Sequence, residues 1–176
     1  MSDGPQLLPS GAVTSPKGFI AGAAYAGIKT YAKDKMDVGI LMSERPCVTL
    51  GLYTQNKFIS PSVTLTRSHV DGGRVSAVFA SSGIANTGVG EQGLIDAKET
   101  VGLAAQHVGL VPEEVAICTT GVIGVELPMA LIRSGIPQVQ LSKEGGEHFA
   151  RCIMTTDRRS KSAAVRMDID GTEVTI

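Results

Sequence analysis

An α+β fold, antiparallel β-sheets with flanking helices, is predicted by three features of the chain. Short apolar runs in the first third are separated by turn residues, one central stretch has helical periodicity, and the last fourteen residues alternate on both sides of an Asp-Gly pair. A chain of 176 residues is long enough to bury one sizeable core, so residues 1–176 are read as a single domain with residues 1–12 as a loose arm.

Pro5, Pro9 and Pro16, with Gly4, Gly11 and Gly18, exclude a continuous helix over residues 1–18 and leave a loose arm or an isolated short strand. The small-residue stretch 18–27 is read as extended. Residues 37–43 and 47–53 are apolar runs about Glu44, Arg45 and Pro46, which reads as a hairpin, and residues 61–66 form another short strand. The first third is thus expected to be an antiparallel meander. Residues 75–80 form a buried strand ending in Ser81, Ser82, Gly83, Ile84, Ala85 and Asn86. Residues 95–108 place Ile95, Val101, Ala104, Ala105 and Val108 near one helical face, and Gly109 suits the C-terminal cap. A β-branched run at 115–118 leads into Thr119, Thr120 and Gly121, read as a strand-to-helix turn, followed by a helix from Pro128 that stops near Gly135. A second helix is expected over 142–153, with Ser142 as its cap and Gly145 and Gly146 weakening the first turn. Residues 163–176 read as a hairpin about Asp170 and Gly171. Its final strand needs a partner, because an unpaired edge invites association.

Sixteen basic against seventeen acidic residues leave a net charge of -1, with no electrostatic footprint for nucleic acid or a membrane surface. Twenty-one glycines beside 4% aromatic residues point to tight turns and close backbone approaches. Cys47, Cys118 and Cys152 are odd in number and far apart, so neither a disulfide framework nor a zinc site is indicated, and a reducing compartment is expected. Residues 1–24 lack a charged start followed by an apolar run, which leads to a cytoplasmic expectation.

Three motifs carry candidate chemistry. Gly88, Gly90 and Gly93 match a dinucleotide-binding spacing, but the loop between the strand and Gly88 is too long and no acidic ribose ligand ends the next strand. His69, His107 and His148 are isolated from one another and from carboxylates, so no metal is expected. At Thr119, Thr120 and Gly121, backbone N–H groups between strand and helix, a permissive glycine and two hydroxyls suit an oxyanion hole. An ordinary turn needing glycine for geometry has the same local pattern. Met154, Thr155, Thr156 and Asp157 either terminate the preceding helix or offer hydroxyls and an N–H to a carboxylate-bearing substrate, with Arg158, Arg159 and Lys161 nearby.

Taken together, residues 13–19, 82–86, 90–97, 119–129 and 154–157 resemble the ornithine acetyltransferase family, also called the bifunctional glutamate N-acetyltransferase of arginine biosynthesis. These segments lie in family order and span nearly the whole chain. The resemblance implies an α/β/β/α layered fold and a precursor that cuts itself before a threonine, giving an α chain, which this sequence looks like, and a β chain whose new N-terminal threonine is the nucleophile. The family's Lys-Gly-x-Gly-Met segment and Asn-Met-Ala-Thr cleavage site are not in the sequence, so the last strand would run on towards them.

The implied reaction is ping-pong acetyl transfer from N-acetylornithine to glutamate, without a cofactor, although some relatives also accept acetyl-CoA. Thr120 and Gly121 match the family's oxyanion pair, and Thr156, with Thr155 as the adjacent alternative, matches its substrate-binding threonine. The implied assembly is α2β2 or larger, and the chain alone would be inactive. Ser81 and Ile84 stand where the family usually has asparagine, which suggests altered substrate use. A self-processed N-terminal-nucleophile aminopeptidase or amidohydrolase, and a truncated non-catalytic binding domain, are the alternatives.

Overall fold

The computed structural model describes residues 4–29 and 35–176. Four strands form its main sheet: β2 (Phe19–Ala24), β3 (Val38–Ser43), β4 (Ala77–Ile84) and β5 (Val115–Val122), in that spatial order. The first two pairings are antiparallel, and β4 and β5 run parallel. A parallel pair needs a crossover, supplied by helix α2 (Gln92–Val108). The sheet is therefore mixed, where the sequence reading expected antiparallel sheets.

A second sheet joins β1 (Gln6–Leu7), β6 (Val165–Ile169) and β7 (Thr172–Thr175) in the order β1-β6-β7, all antiparallel. Asp170 and Gly171 both take positive φ, 52° and 82°, as the expected tight hairpin requires. Ile176 exchanges both backbone hydrogen bonds with Val165. The arm expected over 1–12 is tied down where described. Gln6 and Leu7 pair with Arg166 and Val165, and the Leu8 N–H donates to the Ala164 carbonyl at 2.8 Å. Residues 1–3 lie outside the described residues.

Alternation along the main sheet sorts its side chains. Val38, Ile40, Ala77, Phe79 and Ile117 face one side, packing with Leu65 of α1 (Pro61–Asp71), Val101 and Ala104 of α2, and Ile132 of α3 (Met129–Gly135). Burying each large member of this layer contributes about 1.5–3 kcal/mol. On the opposite side, Ala21 and Ala80 meet Phe149 and Cys152 of α4 (Gly146–Cys152).

Four expectations are corrected. Residues 61–66 are helical in α1 despite Val63, Thr64 and Thr66, because Ser60 caps the Ser62 N–H, Pro61 begins the helix, and the Thr66 hydroxyl bonds both the N–H and C=O of Ile117. Residues 47–53 form no strand. β3 already has β2 and β4 on its two edges, while the Cys47 thiol and Thr49 hydroxyl both donate to the Val75 carbonyl, leaving Val48, Leu50 and Leu52 exposed. Ser142 pairs its backbone with Ala21 instead of capping a helix, so α4 starts only at Gly146. On α2, the buried stripe runs through Ala97, Val101, Ala104 and Ala105, whereas Ile95 is 57% exposed. Gly109, at φ 74°, is the C-terminal cap of α2, as expected. Among the described residues no helix is long and apolar enough to cross a membrane.

Candidate functional site

β4 and β5 end side by side, with Ser82 opposite Thr120, Gly83 opposite Gly121 and Ile84 opposite Val122. Thr119, Thr120 and Gly121 thus lie in the C-terminal part of β5, and the bend expected there falls at residues 123–125. Gly83 and Gly121 take φ of 124° and 134°, and a β-carbon at 121 would overlap the Gly83 carbonyl. Only glycine lets the two backbones approach this closely in this conformation. The outer edge of β5 is covered by α1, where His69 Nδ1 meets the Val115 carbonyl and Thr66 brackets Ile117. Thr119 Oγ1 lies 2.9 Å from both Ser62 Oγ and the Ala85 carbonyl, so this hydroxyl serves the scaffold and leaves Thr120 as the exposed hydroxyl.

Beyond this strand end lies a cleft of about 730 Å³. Gly83, Thr120, Gly121 and Val122 form one wall, and Met154, Thr155, Thr156 and Asp157 another. All four site residues expected from the sequence, Thr120, Gly121, Thr155 and Thr156, therefore line one cavity. Of the expected cations, Arg158 lines it, Arg159 does not, and Lys161 pairs with Asp157, whose carboxyl its hydrogen bond holds below the ordinary carboxylate range. Ser81 is buried and Ile84 packs against the main core, so neither residue suspected of altering substrate use touches the cleft.

Lys29, Lys35, Met36 and Arg151 complete the lining and were not anticipated. Behind them Asp37, fully buried, accepts backbone N–H bonds from Ala26, Gly27, Ile28 and Lys29 at 2.7, 3.1, 2.7 and 3.2 Å. The loop is wound around one carboxylate, and a lone Asp some ten residues downstream of its partners leaves no motif to read. Lys29 Nζ donates to the Met154 carbonyl at 2.8 Å, and burial lowers its pKa below the ordinary lysine value, against the opposing pull of Asp37. Burial likewise pushes the Cys152 thiol up to about 12, so it stays protonated and is no nucleophile at neutral pH. With Asp157 neutralised by Lys161, the cleft has a cationic lining suited to a carboxylate.

The remaining motifs have structural roles. Gly93 sits under Asn86, whose Nδ2 donates to its carbonyl at 2.9 Å, so this glycine closes a packing contact between the segment after β4 and α2. His107 Nε2 bonds the Val139 carbonyl.

Residues 20–176 match the ArgJ family. The chain is 44% identical over 165 residues to the arginine biosynthesis bifunctional protein ArgJ of Dehalococcoides mccartyi, covering 94% of this chain and 41% of that protein. It is 46% identical over 169 residues to the protein of the same name from Symbiobacterium thermophilum, covering 95% and 42%. The chain thus spans about two fifths of the length of these relatives. Among solved structures it is similar to the arginine biosynthesis bifunctional protein argJ of Bacillus halodurans, with a TM-score of 0.93 and 32% identity over 100% of this chain and 92% of that one. It is also similar to the ornithine acetyltransferase of Mycobacterium tuberculosis complexed with ornithine, with a TM-score of 0.89 and 32% identity over 97% and 92%.

Proposed function

The chain belongs to the ArgJ family, and on that premise we propose that it is part of an acetyltransferase of arginine biosynthesis that moves acetyl from N-acetylornithine to glutamate through an acyl-enzyme. The observation that carries this reading is the convergence of Thr120, Gly121, Thr155 and Thr156 on one cationic cleft. The relative crystallised with ornithine supports the choice of substrate class. A precursor cut in two would explain why this chain covers 92% of two crystallised relatives but only 41% and 42% of the curated ones.

In this reading the nucleophile is the N-terminal threonine of a second chain from the same precursor. It attacks the acetyl carbonyl, and the tetrahedral oxyanion is stabilised by Thr120 and Gly121. Strand alternation divides the work between these two residues. Ile117 turns its N–H outward to Thr66, and Val122 turns its carbonyl toward Ala85 of the β4 side. By the same alternation Thr120 spends its N–H on the β4 side and offers its hydroxyl, whereas Gly121 offers its N–H. Ornithine leaves with the proton taken from threonine, and the amine of glutamate then attacks the acyl-threonine past the same oxyanion site. Thr156, with Thr155 beside it, holds the amino-acid portion of each substrate, and the surrounding cations favour its carboxylate. The cycle uses no cofactor, and the working assembly is α2β2 or larger.

The test is expression of the complete reading frame, intact mass and N-terminal sequencing of the products, and incubation with N-acetylornithine and glutamate, with acetyl-CoA offered separately as donor. Two chains, the second beginning with threonine, and formation of N-acetylglutamate are expected. Acetate in place of N-acetylglutamate would indicate a hydrolase, and a single uncut polypeptide without transfer would contradict the reading.

A further inference from the structure

The two walls of the cleft are built differently, and one side chain spans them. The wall at 154–157 has no ladder of its own and follows directly on the short helix α4. Its backbone is gripped from the opposite side by Lys29, whose ammonium donates to the Met154 carbonyl 125 residues away in sequence. Lys29 is itself well anchored. Its own N–H and those of the three residues before it converge on the Asp37 carboxylate, which is wholly shielded from solvent. The same loop abuts the other wall, since a β-carbon on Gly83 would lie 3.0 Å from Ile28 Cγ2 and from Lys29 Cα. The loop around Asp37 is therefore wedged between Gly83, the partner of Gly121, and Met154, the neighbour of Thr155 and Thr156.

We propose that Lys29 is a positioning residue for the acetyl-transfer site. Held by the loop around Asp37, its ammonium clamps the Met154 carbonyl and sets the distance between the substrate-holding threonines and the oxyanion pair. The placement of the ammonium favours this role. An exposed lysine has its three donors in water, but this one is partly buried and directed at the Met154 carbonyl. A hydrogen bond from a charged donor to a neutral acceptor in a partly desolvated place is strong enough to fix a loop. The inference rests on the acetyltransferase reading for its kinetic consequence, but its structural part can be tested without activity.

Lys29→Met and Lys29→Arg are made in the complete reading frame. In the wild type, acetyl transfer is first measured, and its absence would sink the functional reading alone. With transfer present, Lys29→Met is expected to raise KM for N-acetylornithine and glutamate about tenfold, the change expected from one lost hydrogen bond to a charged group, with kcat little altered. Lys29→Arg, which keeps a donor for the Met154 carbonyl, is expected to restore KM. General destabilisation would instead lower kcat through loss of active enzyme and leave KM unchanged, which would overturn the proposal. Amide hydrogen exchange is followed in parallel. Faster exchange at 154–157 with β4 and β5 unchanged supports the clamp whether or not the protein turns over, and equal exchange in Lys29→Met and wild type overturns it. If Lys29→Met does not fold, Lys29→Leu, which likewise offers no donor to the Met154 carbonyl, gives the same readouts.

Discussion

The wall of the cleft made by β4 and β5 differs from the wall made by residues 154–157 in what holds it. In the first, eight residue pairs in parallel register bring Gly83 and Gly121 into contact, so position is set by backbone and by the absence of β-carbons. In the second, position is set by side chains reaching in: Lys29 to the Met154 carbonyl, and Ser82 of β4 to the Cys152 carbonyl. Under the proposed function, the first wall would hold oxyanion donors, which need fixing to a fraction of an ångström as a ladder provides, while the second would admit and release two amino acids in turn and tolerate being held by a few bonds. Accordingly the first wall should break when an atom is added and the second when a polar group is removed.

The largest effect is expected from Gly121→Ala. Overlap with the Gly83 carbonyl and a φ of 134° each cost about 1–3 kcal/mol. At about 2–4 °C per kcal/mol, the melting temperature should fall by roughly 10 °C, with loss of transfer. Thermal unfolding that matches wild type would show that the glycine contact is dispensable.

Next is the alkaline limb of stability. Folding raises the Cys152 pKa from 9.0 to about 12, so the folded thiol keeps its proton in a range where the unfolded one ionises. The unfolded state then binds fewer protons, and stability contributed by this group declines as pH rises from 9 to about 12, by on the order of a few kcal/mol. Denaturant titrations across that range should show the decline, and Cys152→Ala should flatten it.

On the second wall, Thr156→Ala is expected to raise KM for both amino acids about tenfold while changing kcat little, the pattern of a lost contact made equally in ground and transition states. A fall in kcat at constant KM would move Thr156 to the chemical step. The smallest effect is expected far from both walls. The Glu99–Arg133 ion pair is exposed, and although its hydrogen bond lowers the Glu99 pKa, Glu99→Gln should leave melting and transfer within measurement error.

The same contrast explains what could be read from the sequence. Strands β2 and β3, the hairpin at Asp170 and Gly171, and α2 with its Gly109 cap are legible because alternation, helical period and turn chemistry are local. Thr120 and Gly121 read as a turn in the sequence, because Gly121 looks like a turn residue until Gly83 is seen opposite it in β4. Residues 61–66 misled because their β-branched side chains suit a strand, and Ser60 with Pro61 outweighs them. The 47–53 run has a strand's alternation, but the strand it follows, β3, is paired on both edges, a property of the assembled sheet. Lys29 and Asp37 were missed because a carboxylate that collects backbone N–H groups has no side-chain signature. Resemblance supplied Thr155 and Thr156 with a role, and the fold brings them to the same cleft as Thr120.

The most direct measurement is a single-turnover release of ornithine from N-acetylornithine by the complete, processed protein in the absence of glutamate, comparing wild type with Thr120→Ala. One equivalent of ornithine per active site, released about 10²-fold more slowly in Thr120→Ala, is the result predicted for an acyl-enzyme whose oxyanion rests on this hydroxyl. Ornithine release that requires glutamate, or equal rates in the two proteins, would contradict it.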